Sequence, residues 1–338
     1  SEYIQALGSN GDWCSDLNPV NPLSPNPTLN PQYHQQARAL CEAMMGPLGA
    51  QEFYSDPLRP SGSGSNEFQL LAGNINVRPE SGRTFTAGVV ANVTDNIVLT
   101  LDYWRIRIND MISNELPSVL YERCLNPANN LRFDPTFEPC AKLERDPESG
   151  VHLPTHTTYT NESSIDFSGY DLQLDWAGEV GPGTLTTNVL TTISNSVKTR
   201  VNADSPWTEW KGTSGPTDII STEPYVYDYR IFTTLGYSTG PWTTSLRWRH
   251  VPSIESAGNL TSPGRFTPTG AYNVFDVAAR YGLRDNVQIR FGIDNLLDAD
   301  PELTFPEPAD NRPANHLTNV RFYDLLGRRF YVGMSVQL

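Results

Sequence analysis

Residues 286–297 read NVQIRFGIDNLL, and the alternation inside this stretch decides the fold. Val287, Ile289, Phe291 and Ile293 take one phase, while Gln288, Arg290, Gly292 and Asp294 take the other. Successive side chains of a strand point to opposite faces. A period of two therefore describes a strand with one apolar and one polar face. The chain ends on the same pattern. Phe330, Val332, Met334, Val336 and Leu338 alternate with Tyr331, Gly333, Ser335 and Gln337.

Working outward, nine such runs follow Arg83, at roughly 83–94, 96–109, 164–178, 183–198, 224–238, 241–251, 271–283, 286–297 and 326–338. Most reach ten residues or more, longer than the usual globular strand of about five or six. They match the nine to eleven residues that cross a bilayer at a tilt. The connections alternate between short and long. Thr94-Asp95-Asn96, Glu179 to Pro182, Thr239-Gly240 and Arg284-Asp285 are short, whereas about 110–163, 199–223, 252–270 and 298–325 are long. Short turns on one side and long loops on the other are the plan of an outer-membrane barrel.

Tyr103, Trp104, Trp176, Tyr225, Tyr227, Trp242, Trp248, Tyr272 and Tyr281 collect near strand ends, as membrane-interface girdles require. The opposite phase is charged. Asp102, Asp171, Asp175, Arg230, Arg247, Arg249, Asp276, Arg280, Arg290 and Asp294 are expected to line a lumen. A small barrel filled by its own side chains has no place for so many charges, but a wide, wet or plugged one does.

Composition agrees. Charged residues make up 18% and aromatics 10%, with 27 prolines and 25 glycines among 338 residues, which favours an all-β chain. Mean hydropathy is −0.42, and no apolar run is long enough for a transmembrane helix. Neither fact speaks against a barrel, whose strands alternate. The net charge of −14 argues against a nucleic-acid partner, which needs a basic face.

Acidic residues concentrate in 1–82 and 110–162, and so do the cysteines. Cys14 and Cys41 lie in the first segment, Cys124 and Cys140 in the second; two local pairs in loop-like sequence point to disulfides and an oxidising compartment. Residues 1–82 read as a long loop. It has closely spaced prolines, a short helix over Gln35–Met45 and a break at Ser61-Gly62-Ser63-Gly64-Ser65. Ser1-Glu2-Tyr3-Ile4-Gln5 does not have the basic start and apolar core of a signal peptide.

No catalytic motif stands out, and the expectation is that the chain is not an enzyme and holds no cofactor or metal. His152 and His156 are four apart, but Pro154 between them breaks the helix a metal pair would need. His34, His250 and His316 have no partner motif. Asp102, Asp171 and Asp175 fit lumen lining better than a glycosidase carboxylate pair.

Three stretches resemble the TonB-dependent receptors. Gly73 to Gly82, GNINVRPESG, followed by TFTAGVVANVTDNIVLTLDYWRIRINDMI, is similar to that family's "GNPNLKPE" segment and the strand pair after it. Phe291 to Pro301, FGIDNLLDADP, resembles "GVxNLFDKxP"; Tyr323 to Leu338, YDLLGRRFYVGMSVQL, resembles the terminal "YDxxGRxxYxGxxxxF" box. The family's last residue is typically Phe; here it is Leu338, apolar and in the lipid-facing phase. The resemblance implies a transmembrane antiparallel barrel of roughly 22 strands with a plugged lumen. This chain would supply about the last nine strands, and its cysteine pairs would lie in extracellular loops. The plug and energy-coupling box would lie outside it, and nine strands leave an edge that lipid cannot satisfy.

The implied function is energised uptake of a scarce nutrient, an iron–siderophore, cobalamin or a glycan, at the outer membrane of a Gram-negative bacterium. The implied partners are lipid and lipopolysaccharide, the remaining barrel and plug residues, TonB acting through the plug, and the small ligand. Divalent ions bridging the acidic outer surface to lipopolysaccharide are a further expectation, against which a calcium-insensitive thermal melt would count. Trp207 and Trp210 are candidate outer-loop ligand contacts. Two alternatives remain at this level. One is a soluble secreted β-sandwich or propeller that binds or cleaves glycans on a platform of Trp207, Trp210, Tyr225 and Tyr227; the other is a passive or structural barrel.

Overall fold

In a computed structural model of the chain, the described residues are 3–7, 12–18, 21–56, 67–215, 225–260, 263–264, 266–302 and 323–337. His316, Leu338 and the Ser61–Ser65 break lie outside them. The chain divides into two compact units. One comprises Ser1–Pro79 with Ile112–Asn161, and the other Glu80–Met111 with Glu162–Leu338. The division differs from the one expected at residue 82, because the second long loop joins the first in one unit.

The larger unit is built on long antiparallel strands. They are β3 (Ser81–Thr94), β4 (Ile97–Asn114), β5 (Thr155–Val180), β6 (Gly183–Arg200), β8 (Tyr229–Thr239), β9 (Trp242–Val251), β10 (Tyr272–Arg284), β11 (Val287–Asp294) and β12 (Arg329–Val336). Each pairs with the next, from β3 through β12, and the short β7 (Thr208–Glu209) pairs only with β6. All nine expected runs are present. Every expected short connection is a two-residue turn. At the β8–β9 turn, Gly240 has φ +51°, a left-handed backbone that costs glycine nothing.

β5 has 26 residues, and β4 and β6 have 18 each, well beyond what a bilayer requires. The β8 ladder begins at Tyr229, not at residue 224. Tyr225 and Tyr227 are instead buried, 1% and 4% exposed, against Ile254, Tyr272, Val274 and Tyr323. Their alternation is that of a strand, but they pack at a loop base. Among the described residues, β3 and β12 have a neighbour on one side only, and β3 is exposed along its whole length.

The smaller unit is more ordered than a bare loop. β1 (Tyr3–Leu7) pairs antiparallel with β2 (Glu67–Ala72), and β2 pairs parallel with Thr155–Thr158 of β5. Helix α1 runs His34–Ser55, twice the expected length, through Gly46-Pro47; Gly46 leaves helical geometry there, so two helices meet end to end. Helices α2 (Pro117–Leu125) and α3 (Glu138–Ala141) come from the second loop. Disulfides Cys14–Cys41 and Cys124–Cys140 form as expected. They sit in one core with Leu40, Met45, Phe53, Leu120, Tyr121 and Leu143.

Candidate functional site

Strand register places all ten expected lumen residues on one face of the larger unit. Asp171 opposes Thr192, which opposes Arg230; Asp175 opposes Asn188. Phe232 opposes Arg249, and Arg249 opposes Val274; Arg247 opposes Asp276, which lies in the phase of Arg280. Arg280 in turn opposes Arg290, and Asp294 shares the phase of Arg290. Asp102 joins them through Trp104, two residues on in the same phase, whose ring lies where a Cβ on Gly169 would point; Gly169 opposes Ser194 in the phase of Thr192.

The face is hydrogen-bonded but not neutralised. Thr192 Oγ1 donates to Asp171 at 2.7 Å, and Asn188 Nδ2 donates to Asp175 at 2.6 Å. Asp276, 7% exposed, accepts from Arg249 Nη2 at 3.2 and 3.3 Å and from the Asn295 backbone N–H at 2.9 Å. Arg329 Nη2 lies 3.6 Å from Asp294. Arg280 and Arg290 face one another with no acidic partner among the described residues. Like charges directly opposite are unfavourable unless water or another group screens them.

Toward the long-loop end of this face, Thr192, Arg230, Phe232, Arg249, Tyr272 and Asp324 line a cavity of about 410 Å³. Arg230 donates to the Tyr225 carbonyl at 3.1 Å and lies 5.3 Å from the Tyr227 ring. Burial holds the Tyr227 and Tyr323 phenols above their ordinary range, so neither ionises near neutral pH. The cavity thus offers the Arg230 and Arg249 guanidinium groups and the Asp324 carboxylate beside the Tyr272 ring and apolar walls, a setting for a small polar molecule.

The opposite phase is apolar between two aromatic belts. At the long-loop end Phe85, Tyr103 and Tyr170 lie in sequence contact, at 6.2 and 5.3 Å between ring centroids. Trp248 stacks on Phe275, and Tyr229 lies on His250. At the short-turn end Trp242 packs on Tyr281 at 4.6 Å. From Trp242 to Trp248 is six residues and from Tyr229 to Tyr237 eight. At about 3.3 Å per residue this is roughly 20 to 26 Å along the strands, comparable to the ~25 Å apolar band of a membrane barrel.

The remaining expected contacts behave differently. Trp210 is 5% exposed, packed with Val197, Val226 and Ala257, and its indole N–H donates to Thr199 Oγ1 at 2.6 Å. With Trp210, Tyr225 and Tyr227 all buried, the aromatic platform of the soluble alternative does not form. Trp207 lies against two guanidinium groups, Arg107 at 5.9 Å and Arg200 at 5.1 Å. Sequence reading passed over Arg105, Arg107, Lys198 and Arg200, because nothing in a single run shows that they share a face.

Among solved structures, the ferric enterobactin receptor of Pseudomonas aeruginosa aligns with a TM-score of 0.50 at 13% identity, covering 81% of this chain and 33% of that one. The FrpB iron transporter from Neisseria meningitidis gives 0.46 at 14% identity, over 79% and 33%. A copper transporter, OprC, gives 0.43 at 17%, over 78% and 32%. The chain therefore spans about a third of the length of the structures it resembles. A search of curated protein sequences finds no match. The family described as TonB dependent receptor-like, beta-barrel matches residues 25–296, which is most of the sequence, and the chain belongs to that family.

Proposed function

We propose that this chain forms part of the wall and outer loops of a TonB-dependent outer-membrane transporter that takes up a scarce nutrient. The observation that carries the reading is the two-faced sheet: ten charged residues on one phase, and an apolar band between aromatic belts on the other. The short-turn end then faces the periplasm and the long-loop end the exterior. The edges of β3 and β12 need further strands, because an unpaired backbone group in hydrocarbon costs several kcal/mol. In the whole protein, a plug would fill the lumen and relay TonB energy. The Arg280–Arg290 pair fits such a plugged or watery interior. The surroundings would be phospholipid and lipopolysaccharide of a Gram-negative outer membrane.

The cavity at Arg230 and Arg249 suits an anionic chelate. Since one structural neighbour is named as a ferric enterobactin receptor, ferric siderophores are the first ligands to try, ahead of cobalamin and glycans. The test is uptake of labelled ferric chelates by cells carrying the intact receptor, with and without TonB. Uptake that needs both is expected. Uptake indifferent to TonB would favour the passive-barrel alternative. A protein that stays folded and monomeric in buffer without detergent would overturn the membrane reading itself.

A further inference from the structure

Toward the short turns, the lumen face of β8 to β11 changes character. Gly236, Ser245, Ala278 and Gly292 oppose one another in a row of small residues. The next row down holds Ser238, Thr243, Arg280 and Arg290. The small row leaves space beside the large side chains, a cavity of about 500 Å³ whose lining includes Thr243, Ser245, Ala278, Arg280, Arg290 and Tyr331. Two glycines shape its side toward β12. A Cβ on Gly333 would lie 2.7 Å from Arg290 Nε, and one on Gly292 would collide with the Tyr331 hydroxyl. The Arg290 chain therefore lies over Gly333, and the phenol lies over Gly292, one row above the two arginines.

No acidic side chain lines this cavity. β8, β9 and β12 contain none. Those of β10 and β11, Asp276 and Asp294, stand four residues nearer the long loops, roughly 13 Å along the strands. They are engaged there by Arg249 and Arg329. Toward the turn, Asp285 is five residues from each arginine, roughly 17 Å. On β5, Glu179 accepts from Thr184 Oγ1 at 3.0 Å. Arg280 and Arg290 thus face one another, both exposed, with no acidic partner among the described residues. Two like charges in that relation are unfavourable until an anion joins them.

Chemistry and position select the guest. Each guanidinium presents a planar fork of N–H donors, which matches the paired oxygens of a carboxylate or phosphate. The Tyr331 hydroxyl is a further donor at the same cavity. The other arginines of this face lead down to it from the cavity at the long-loop end. Arg249 opposes Phe232, one two-residue step below Arg230, and Arg247 is the next step, each about 7 Å. Arg280, opposite Thr243, lies two further steps down. The Arg247 guanidinium lies 5.7 Å from the Phe232 ring and has no acidic partner among the described residues. A series of cations along one wall suits an anion that moves past it.

We infer that this cavity is a binding site for a small oxyanion, a carboxylate or phosphate group held between Arg280 and Arg290, separate from the cavity at the long-loop end. The inference rests on the lumen assignment proposed above.

The test soaks crystals of the intact receptor, grown from detergent, in a concentration series of selenate, a tetrahedral oxyanion visible by its anomalous scattering. A peak between the two guanidinium groups is expected. A hydrogen bond to a charged group is worth about tenfold or more in affinity, so the half-occupancy concentration should rise at least about tenfold in Arg280→Gln and in Arg290→Gln. Thr243→Glu puts a carboxylate opposite Arg280 and should displace the selenate; it carries the test if the arginine variants do not fold. Citrate should remove the peak at lower concentration than perchlorate, a charged but weak hydrogen-bond acceptor. Equal displacement by the two would leave charge screening alone and overturn the site. A peak unchanged in the folded variants would mean an adventitious ion only, and would overturn it too. So would a wild-type protein without a peak, including one in which a carboxylate of the plug already sits between the arginines. Any of these results in a protein that still requires detergent leaves the transporter reading standing; folding in plain buffer would remove both.

Discussion

Asp12 and Arg145 are 133 residues apart in sequence and meet as a fully buried bidentate pair, Nη1 to Oδ2 and Nη2 to Oδ1 each 2.7 Å, with neither side chain exposed. Arg145 also donates to the Tyr121 hydroxyl at 2.7 Å and the Gly150 carbonyl at 3.2 Å; Asp12 accepts the Cys14 backbone N–H at 2.8 Å. Burial by itself would discharge Arg145, but the Asp12 charge outweighs it and holds the guanidinium above its ordinary range. The pair closes the smaller unit by joining its two chain segments. Asp12→Ala should cost about 3 to 5 kcal/mol, because it leaves a buried charge uncompensated. Asp12→Leu with Arg145→Met should recover most of that loss. Limited proteolysis within 112–161 would read both; a single variant as resistant as wild type would contradict the assignment.

The disulfides act on the same unit. Cys14–Cys41 closes 27 residues and Cys124–Cys140 closes 16. Restricting the unfolded chain in this way is worth about 3 kcal/mol for each loop. A reducing agent should expose the smaller unit to protease and leave the long strands of the other intact. Equal loss of both units on reduction would show that the disulfides stabilise more than their own core.

His152 gives this unit a pH dependence. Burial lowers its pKa below the ordinary 6.5; Arg145 pushes the same way and Asp12 opposes. A histidine depressed in the folded state contributes stability fully above about pH 6.5, lost as the pH falls toward the folded value. Proteolysis of 112–161 should therefore accelerate between pH 7.5 and pH 5.5, and His152→Gln should flatten the response. An unchanged slope in that variant would assign the effect elsewhere.

The strands were legible in the sequence because each has two environments, and alternation records both. Val287 to Asp294 and Phe330 to Val336 read correctly from neighbours alone. Tyr225 and Tyr227 alternate equally well yet pack under a loop, since periodicity does not distinguish a ladder from a buried segment. Gly46-Pro47 reads as the end of a helix, but tertiary packing of Gly49 and Phe53 continues the chain as a second one. Asp12 and Arg145 carry no period at all. Arg105, Arg107, Lys198 and Arg200 share a face only through strand register, which steps past Asn195 opposite Ser168 and Gly169.

The face assignment makes the sharpest prediction, because neighbouring residues of one strand should respond oppositely to the same substitution. Val277 opposes Leu246 and Ile293 on the apolar phase, between the Trp242 and Trp248 levels. Ala278, the next residue, opposes Ser245 and Gly292 on the phase of Arg280 and Asp276. An arginine on the lipid face near the bilayer midplane costs roughly 2 to 4 kcal/mol, whereas a lumen substitution mainly alters what passes. Val277→Arg should therefore lower the stability of the folded receptor in bilayers by about that amount. Ala278→Arg should fold normally, since a cavity of about 500 Å³ lined by Thr243, Ser245, Ala278 and Arg280 takes the longer chain. Urea unfolding in lipid vesicles measures both. Equal destabilisation by the two variants would mean that both phases are packed alike, as in a soluble sandwich, and the membrane reading would fall with the face assignment.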